Sequence, residues 1–312
     1  MDNNDKSTLE NNLIQALLSE QKSARRWKNA RFFVWLILFL IMLFILIGPS
    51  FSSETSSDHN SAYISLMRLN GVIMANSNFS ARKVIPELTA AFADKGSKGV
   101  ILLINSPGGS PVQASLIHDK ILQLKEKYHK QVIVVGEDSL ASGAYLVASA
   151  ADEIYVNADT VTGSIGVIME GFGFTDVMKK IGISRRVFTA GINKDRMDPF
   201  ELMKPADQAK IKDVLDAVHQ DFIDDVIAGR KGKLKGDPKE LFSGDFWTGT
   251  QAAKLGLVDG TSNVWEVAQS NFGTTHYRDY SPHDNFFESV IRNVSMKLPL
   301  GLDSHTKLQE IV

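Results

Sequence analysis

The chain has 312 residues, 34 Lys and Arg against 36 Asp and Glu, and a formal charge of −2 at neutral pH. That balance, with no basic stripe interleaved with aromatics, leaves no footing for nucleic-acid binding. There is no cysteine, which removes disulfides, thiolate catalysis and zinc–thiolate sites together and suits an oxidising space. The length suits one sizeable catalytic unit with appendages.

Residues 1–31 read as a polar cytoplasmic leader. Ser7-Thr8-Leu9-Glu10 has the form of a capping box, and Leu9, Leu13, Ile14, Leu17 and Leu18 make an apolar stripe behind it. Residues 32–48, from Phe32 to Gly48, are an unbroken apolar run. At about 1.5 Å per residue the run extends on the order of 25 Å, close to a hydrocarbon core of about 30 Å. A buried soluble helix has no need to be apolar on every face, so a transmembrane anchor is expected. Lys22, Arg25, Arg26, Lys28 and Arg31 precede it, and Glu54 and Asp58 follow. The positive-inside rule therefore places the N-terminus in the cytoplasm and the remainder outside. Gly48-Pro49-Ser50 is a poor cleavage site, so the run is read as retained rather than removed. Residues 49–62, rich in Ser, Asp and Asn, read as a linker.

From residue 63 to 270 the pattern alternates strand and helix. Short, β-branched apolar runs predict strands over 63–69, 99–104, 131–136, 153–157 and 185–189. Helices are predicted over 80–94, 111–127, 143–150, 172–180, 205–229 and 249–255. Such alternation predicts an α/β domain with much parallel sheet. Residues 271–312 change character, with more Asn, His, Ser and Asp, and are set apart as a C-terminal arm.

Four short stretches carry the chemistry. Asn105-Ser106-Pro107-Gly108-Gly109 ends an apolar strand and precedes a helix at Pro111, leaving exposed N–H groups at a helix start, with Gly109 as a candidate oxyanion donor. Ser142 lies between Ala141 and Gly143-Ala144, small neighbours that let a substrate backbone approach its hydroxyl, and the Gly143 N–H is a second candidate donor. The competing structural reading of Ser142 is a plain helix N-cap. Lys194, in Gly191-Ile-Asn-Lys194-Asp195, sits on a loop after a predicted strand. A lysine held neutral by apolar surroundings can take the proton of a serine, and such a pair needs no histidine. The competing reading of a loop lysine is a solvated charge. None of His59, His118, His129, His219, His276, His283 and His305 has a context built for catalysis, and His118 and His129 are expected on the solvent side of a helix and at its end. Ser164, in Thr162-Gly-Ser-Ile-Gly166, could fix the rotamer of the lysine.

In order along the chain, Asn105 to Gly109, Ala141-Ser142-Gly143, Thr162 to Val167, Gly191 to Asp195, and Phe246 to Asp259 resemble the signal peptide peptidase A family of bacterial membrane serine peptidases, in its short, single-repeat form. The resemblance covers most of residues 62–270. It implies an α/β fold of the Clp protease/crotonase-like kind, preceded by one N-terminal transmembrane helix. It implies Ser142 as nucleophile, Lys194 as general base and Ser164 as the lysine's holder, with no metal and no organic cofactor. It further implies a homo-oligomer, an octamer, whose sites take the serine and the lysine from adjacent subunits. The expected substrates are hydrophobic signal peptides left in the lipid bilayer, and the expected location is a bacterial plasma membrane with an extracytoplasmic catalytic domain. Ala144, where many relatives carry Gly, and Ile192-Asn193 depart from the pattern. Two other readings compete: a non-catalytic oligomeric scaffold for membrane proteins, and a crotonase-like acyl-CoA enzyme, whose scaffold also uses two oxyanion donors.

Overall fold

The computed structural model describes residues 27, 31–40, 42 and 62–283. Residues 31–40 are helical and exposed. Among the described residues no helix is long and apolar enough to cross a membrane. The rest of the expected anchor, most of the leader, nearly all of the linker and residues 284–312 of the expected arm lie outside the described residues.

From Ala62 onward the chain builds a mixed α/β unit around three long parallel strands, β1 (Tyr63–Asn70), β2 (Ser97–Ser106) and β3 (Val132–Ala141). Their alternate residues are apolar on both sides, as a sheet covered on both faces requires. Met67, Leu69, Leu102, Ile104, Val132 and Val134 belong to the larger core. It is packed by α1 (Ala81–Ala93), α2 (Pro111–Tyr128), α3 (Gly143–Ser149) and part of α5 (Pro205–Gly229). Ile64, Leu66, Ile101, Leu103, Ile133 and Val135 form a second core against Val267, Ala268 and Phe272 of α8 (Val264–Phe272).

The edge of β3 opposite β2 is shared. Its first half pairs with β4 (Glu153–Val156) and its last residues with β5 (Val161–Gly163), both parallel. β6 (Phe246–Thr248) closes that end antiparallel to β5, and β7 (Gly260–Thr261) extends β4. α4 (Thr175–Ile181), α6 (Pro238–Leu241) and α7 (Gly249–Leu255) complete the helices of this unit among the described residues.

Two expectations differ from this outcome. Residues 185–189 form no strand and are exposed throughout. An Arg-Arg-Val-Phe-Thr run has strand propensity, but propensity is realised only beside a pairing edge, and this segment has none within the described chain. His118 is buried at 3 % exposure rather than solvent-facing, with its Nδ1 3.0 Å from Asp119 Oδ1. At the other end, β8 (Tyr277–Asp279), within the segment set apart as an arm, pairs in parallel with β1 at the sheet edge.

β8 is held by a carboxylate. Asp94, just past α1, accepts from Tyr280 Oη at 2.7 Å, Tyr63 Oη at 2.9 Å and Arg278 Nη1 at 3.2 Å. Burial works to raise its carboxyl pKa, but these bonds, the Gly96 N–H and the Arg278 charge outweigh it and hold the group below its ordinary value. A carboxylate lowered in the folded state adds stability that is complete above its unfolded pKa of about 4. That stability is lost as pH falls through the lower folded value. Asp94→Asn is therefore expected to cost about 1–3 kcal/mol at pH 7. The gap from wild type should narrow as pH falls below about 4. Urea unfolding across that range checks it; a gap that stays constant with pH would refute the assignment.

Candidate active site

The site forms where three strand ends meet. Ser106 pairs with Leu140, and Leu140 and Ala141 pair with Thr162 and Gly163, so the ends of β2, β3 and β5 lie side by side. Thr162 Oγ1 donates to the Leu140 carbonyl at 2.7 Å, and the Ser142 N–H donates to the Gly163 carbonyl at 2.8 Å. β3 then turns into α3 without an intervening loop, and Ser142 absorbs the whole change of direction. Its φ of 54° and ψ of −126° lie where a side chain is strained, a cost of about 1–3 kcal/mol that the surrounding sheet has to sustain. Strain of this kind at a strand-to-helix turn lifts a side chain clear of the backbone. Ser142 occupies the N-cap position of α3, but its hydroxyl makes no cap bond to the helix, so capping does not account for the side chain.

The Asn105–Gly109 stretch folds back against that turn. Gly108 (φ 102°) lies so close that a Cβ there would sit 2.7 Å from Ser142 Cβ and 2.8 Å from Gly143 N. A Cβ on Gly109 (φ 147°) would sit 2.2 Å from the Ile73 carbonyl oxygen. The strand-end side chains brace the loop. Ser106 Oγ accepts from the Gly108 N–H at 3.1 Å, while Asn105 donates to Asp138 at 2.7 Å and accepts from the Ser139 N–H at 3.2 Å. The Gly109 N lies 3.5 Å from the position of a Cβ on Gly143. The N–H groups of Gly109 and Gly143 make no hydrogen bond among the described residues. A serine hydroxyl beside two unbonded, neighbouring N–H donors can attack a carbonyl carbon while its oxygen is stabilised.

Ser164 sits one residue past the carbonyl that holds Ser142, at φ 50°, with its N–H bonded to the Asp245 carbonyl at 2.8 Å. The Phe246–Asp259 stretch supports this strand. Trp247 pairs with Thr162 and packs so tightly under Gly163 that a Cβ there would lie 2.4 Å from the ring. Thr248 and Gln251 then close a capping box on α7.

Ser142 opens onto an apolar groove of about 370 Å³, walled by Val112 and Leu116 of α2, Leu146 of α3, Val167 and Ile168, and Phe222 of α5. Among the described residues no histidine lines it. His219 instead bonds the Ile165 carbonyl at 3.0 Å. Sequence reasoning missed the bracing by Asn105 and Ser106 and the face that α5 presents to the groove. The first was signalled by polar residues inside the Asn-Ser-Pro-Gly-Gly stretch.

Lys194 is not brought to this place. It lies on an exposed turn, its N–H donating to the Gly191 carbonyl at 3.1 Å, and it is not among the residues that line the groove. Its ammonium makes no ion pair or hydrogen bond among the described residues. The turn belongs to a segment, 167–204, whose apolar side chains are widely exposed: Ile168 76 %, Phe172 81 %, Phe188 93 %, Ile192 93 % and Leu202 77 %. Among the described residues no group of three or more His, Asp or Glu is placed to hold a metal.

The fold and the site together define an α/β protein with a half-buried serine at a strained strand-to-helix turn, beside two unbonded backbone N–H groups. Residues 124–272 match the family model described as peptidase family S49. The chain is 44 % identical over 215 residues to a Brucella melitensis protein named Na(+)/H(+) antiporter NhaA, covering 67 % of this chain and 29 % of that one. It is 35 % identical over 222 residues to Protease 4 of Haemophilus influenzae, covering 70 % and 35 %. It is 28 % identical over 201 residues to the putative signal peptide peptidase SppA of Enterococcus faecium, covering 62 % and 58 %. The chain thus spans under a third of the Brucella protein and under two thirds of the other two. Over residues 124–272 the chain thus matches peptidase family S49, and its relatives support the signal peptide peptidase A family.

Proposed function

We propose that this chain is a serine endopeptidase that cuts hydrophobic peptides, with Ser142 as nucleophile. The observation that carries the reading is Ser142 itself: a strained, uncapped serine beside the unbonded N–H groups of Gly109 and Gly143, opening on an apolar groove. The protease names of several relatives support it. The shared part is a minor fraction of the Brucella protein, so that name adds no transport function to the reading.

In the reaction, Lys194 takes the Ser142 proton as Oγ bonds to the peptide carbonyl carbon. The Gly109 and Gly143 N–H groups hold the resulting oxyanion. Collapse breaks the C–N bond, the lysine returns the proton to the leaving amine, and water hydrolyses the acyl-enzyme. The lysine comes from an adjacent copy of the chain. The exposed apolar side chains of 167–204 and the unpaired strand-like run at 185–189 support this, because monomers seldom leave such surface bare. Ser164 holds the incoming amine; its position next to the Gly163 carbonyl that holds Ser142 supports this. Residues 32–48 anchor the chain in a bacterial plasma membrane with the catalytic unit outside, where cleaved signal peptides are the natural hydrophobic substrate. The fold reads as a Clp protease/crotonase-like one on the same resemblance.

The test is labelling of the full-length protein with a fluorophosphonate, alongside hydrolysis of a quenched apolar peptide. One label at Ser142, lost with hydrolysis in Ser142→Ala, is the expected result. Peptide hydrolysis that persists in Ser142→Ala would refute the proposal.

A further inference from the structure

The groove beside Ser142 is apolar except along one wall. α5 turns Val218, Asp221, Phe222 and Asp225 toward it, positions spaced so that they share one helix face. Asp221 and Asp225 lie one turn apart and, among the described residues, are the only charged ones lining the groove. Among the described residues no lysine or arginine of the same copy lines it to balance them, and neither carboxylate has an ion-pair partner there. Asp225 is partly buried, and a carboxylate at an apolar wall gains most when a cation arrives with the ligand.

We propose that Asp221 and Asp225 act as a specificity determinant, selecting peptides that place a lysine or arginine next to the apolar side chain seated in this groove. The inference rests on the endopeptidase reading for its substrate and adds a charge requirement that an apolar groove alone does not supply. The electrostatics agree. Burial raises the Asp225 pKa, and Asp119, Asp221 and Asp224 add to the rise against the opposing effect of His118. A cationic residue in the peptide would relieve that repulsion, whereas an acidic one would increase it. Asp224 is the natural control. It lies on the same helix, lines no part of the groove, and accepts from Gln220 at 2.8 Å.

The experiment uses the full chain and three quenched peptides that differ only in the residue beside a central leucine: lysine, alanine or glutamate. Their affinity for Ser142→Ala is measured in parallel by fluorescence anisotropy. Wild type should favour the lysine over the glutamate peptide on the order of ten-fold in kcat/KM, and Ser142→Ala should show the same order of preference in Kd. Asp221→Asn combined with Asp225→Asn should bring the ratio to within about two-fold, Asp221→Lys should reverse it, and Asp224→Asn should keep it. Hydrolysis without charge preference, or a preference that survives the double substitution, would overturn this inference and leave the endopeptidase reading standing. A charge-dependent Kd without hydrolysis would uphold the inference and overturn that reading. Neither binding nor hydrolysis of any peptide would overturn both.

Discussion

Co-expressed Ser142→Ala and Lys194→Ala chains, isolated as mixed assemblies through two different tags, should regain about a quarter of wild-type peptidase activity, although each variant alone loses at least about 10³-fold. The fraction follows from counting. If each site takes its serine from one copy and its lysine from the next, a randomly mixed ring places an intact serine beside an intact lysine at one junction in four. The expectation comes from the position of Lys194, on an exposed turn outside the groove that Ser142 opens onto. A site built within one chain would show no recovery, because no subunit would hold both groups. Co-expression forces the variants to assemble together, so absence of recovery in doubly tagged particles would contradict the shared site. Full activity in Lys194→Ala alone would remove the lysine from the mechanism.

Gly109→Ala should lower kcat/KM by about 10²–10³-fold. Two effects act together. At φ 147° and with the Ile73 carbonyl oxygen 2.2 Å from the Cβ position, the loop has to move to admit a methyl group. It is tied there by the Ile73 N–H to the Gly108 carbonyl at 2.8 Å and the Ser110 N–H to the Ile73 carbonyl at 2.8 Å. Any shift carries the Gly109 N–H away from its place beside Gly143, and the transition state loses a donor. Fluorophosphonate labelling separates the causes: a folded variant should still be labelled, but slowly, because the oxyanion pocket assists that reaction too. An alanine variant with wild-type kcat/KM would show that the Gly109 N–H takes no part.

Much of the site was legible because it is built from local backbone features. A glycine pair after an apolar strand, a serine between small residues, and a second glycine-rich turn each announce a chain that bends sharply and approaches other backbone closely. Ser142, Gly109, Gly143 and Ser164 fall together for that reason, at the ends of strands whose burial on both faces was visible as unbroken β-branched runs. The shorter strands were not legible. β5, β6, β7 and β8 are two or three residues long and gain strand geometry only from the edges they pair with. Residues 185–189 are the converse, a run with strand composition and no edge to meet.

The sequence by itself determined the sharp turn at Ser142, the glycine-rich turn that folds against it, the parallel core and the likeness to a peptidase family, because each depends on residues near one another in the chain or on ordered motifs. Only the tertiary structure decided that Ser142 leaves its hydroxyl uncapped, that α5 lays Asp221 and Asp225 along the groove, and that Lys194 stands apart from the serine of its own chain. These are outcomes of packing between segments far apart in sequence, where the geometry of one element depends on the surface another presents, and no local pattern encodes that surface.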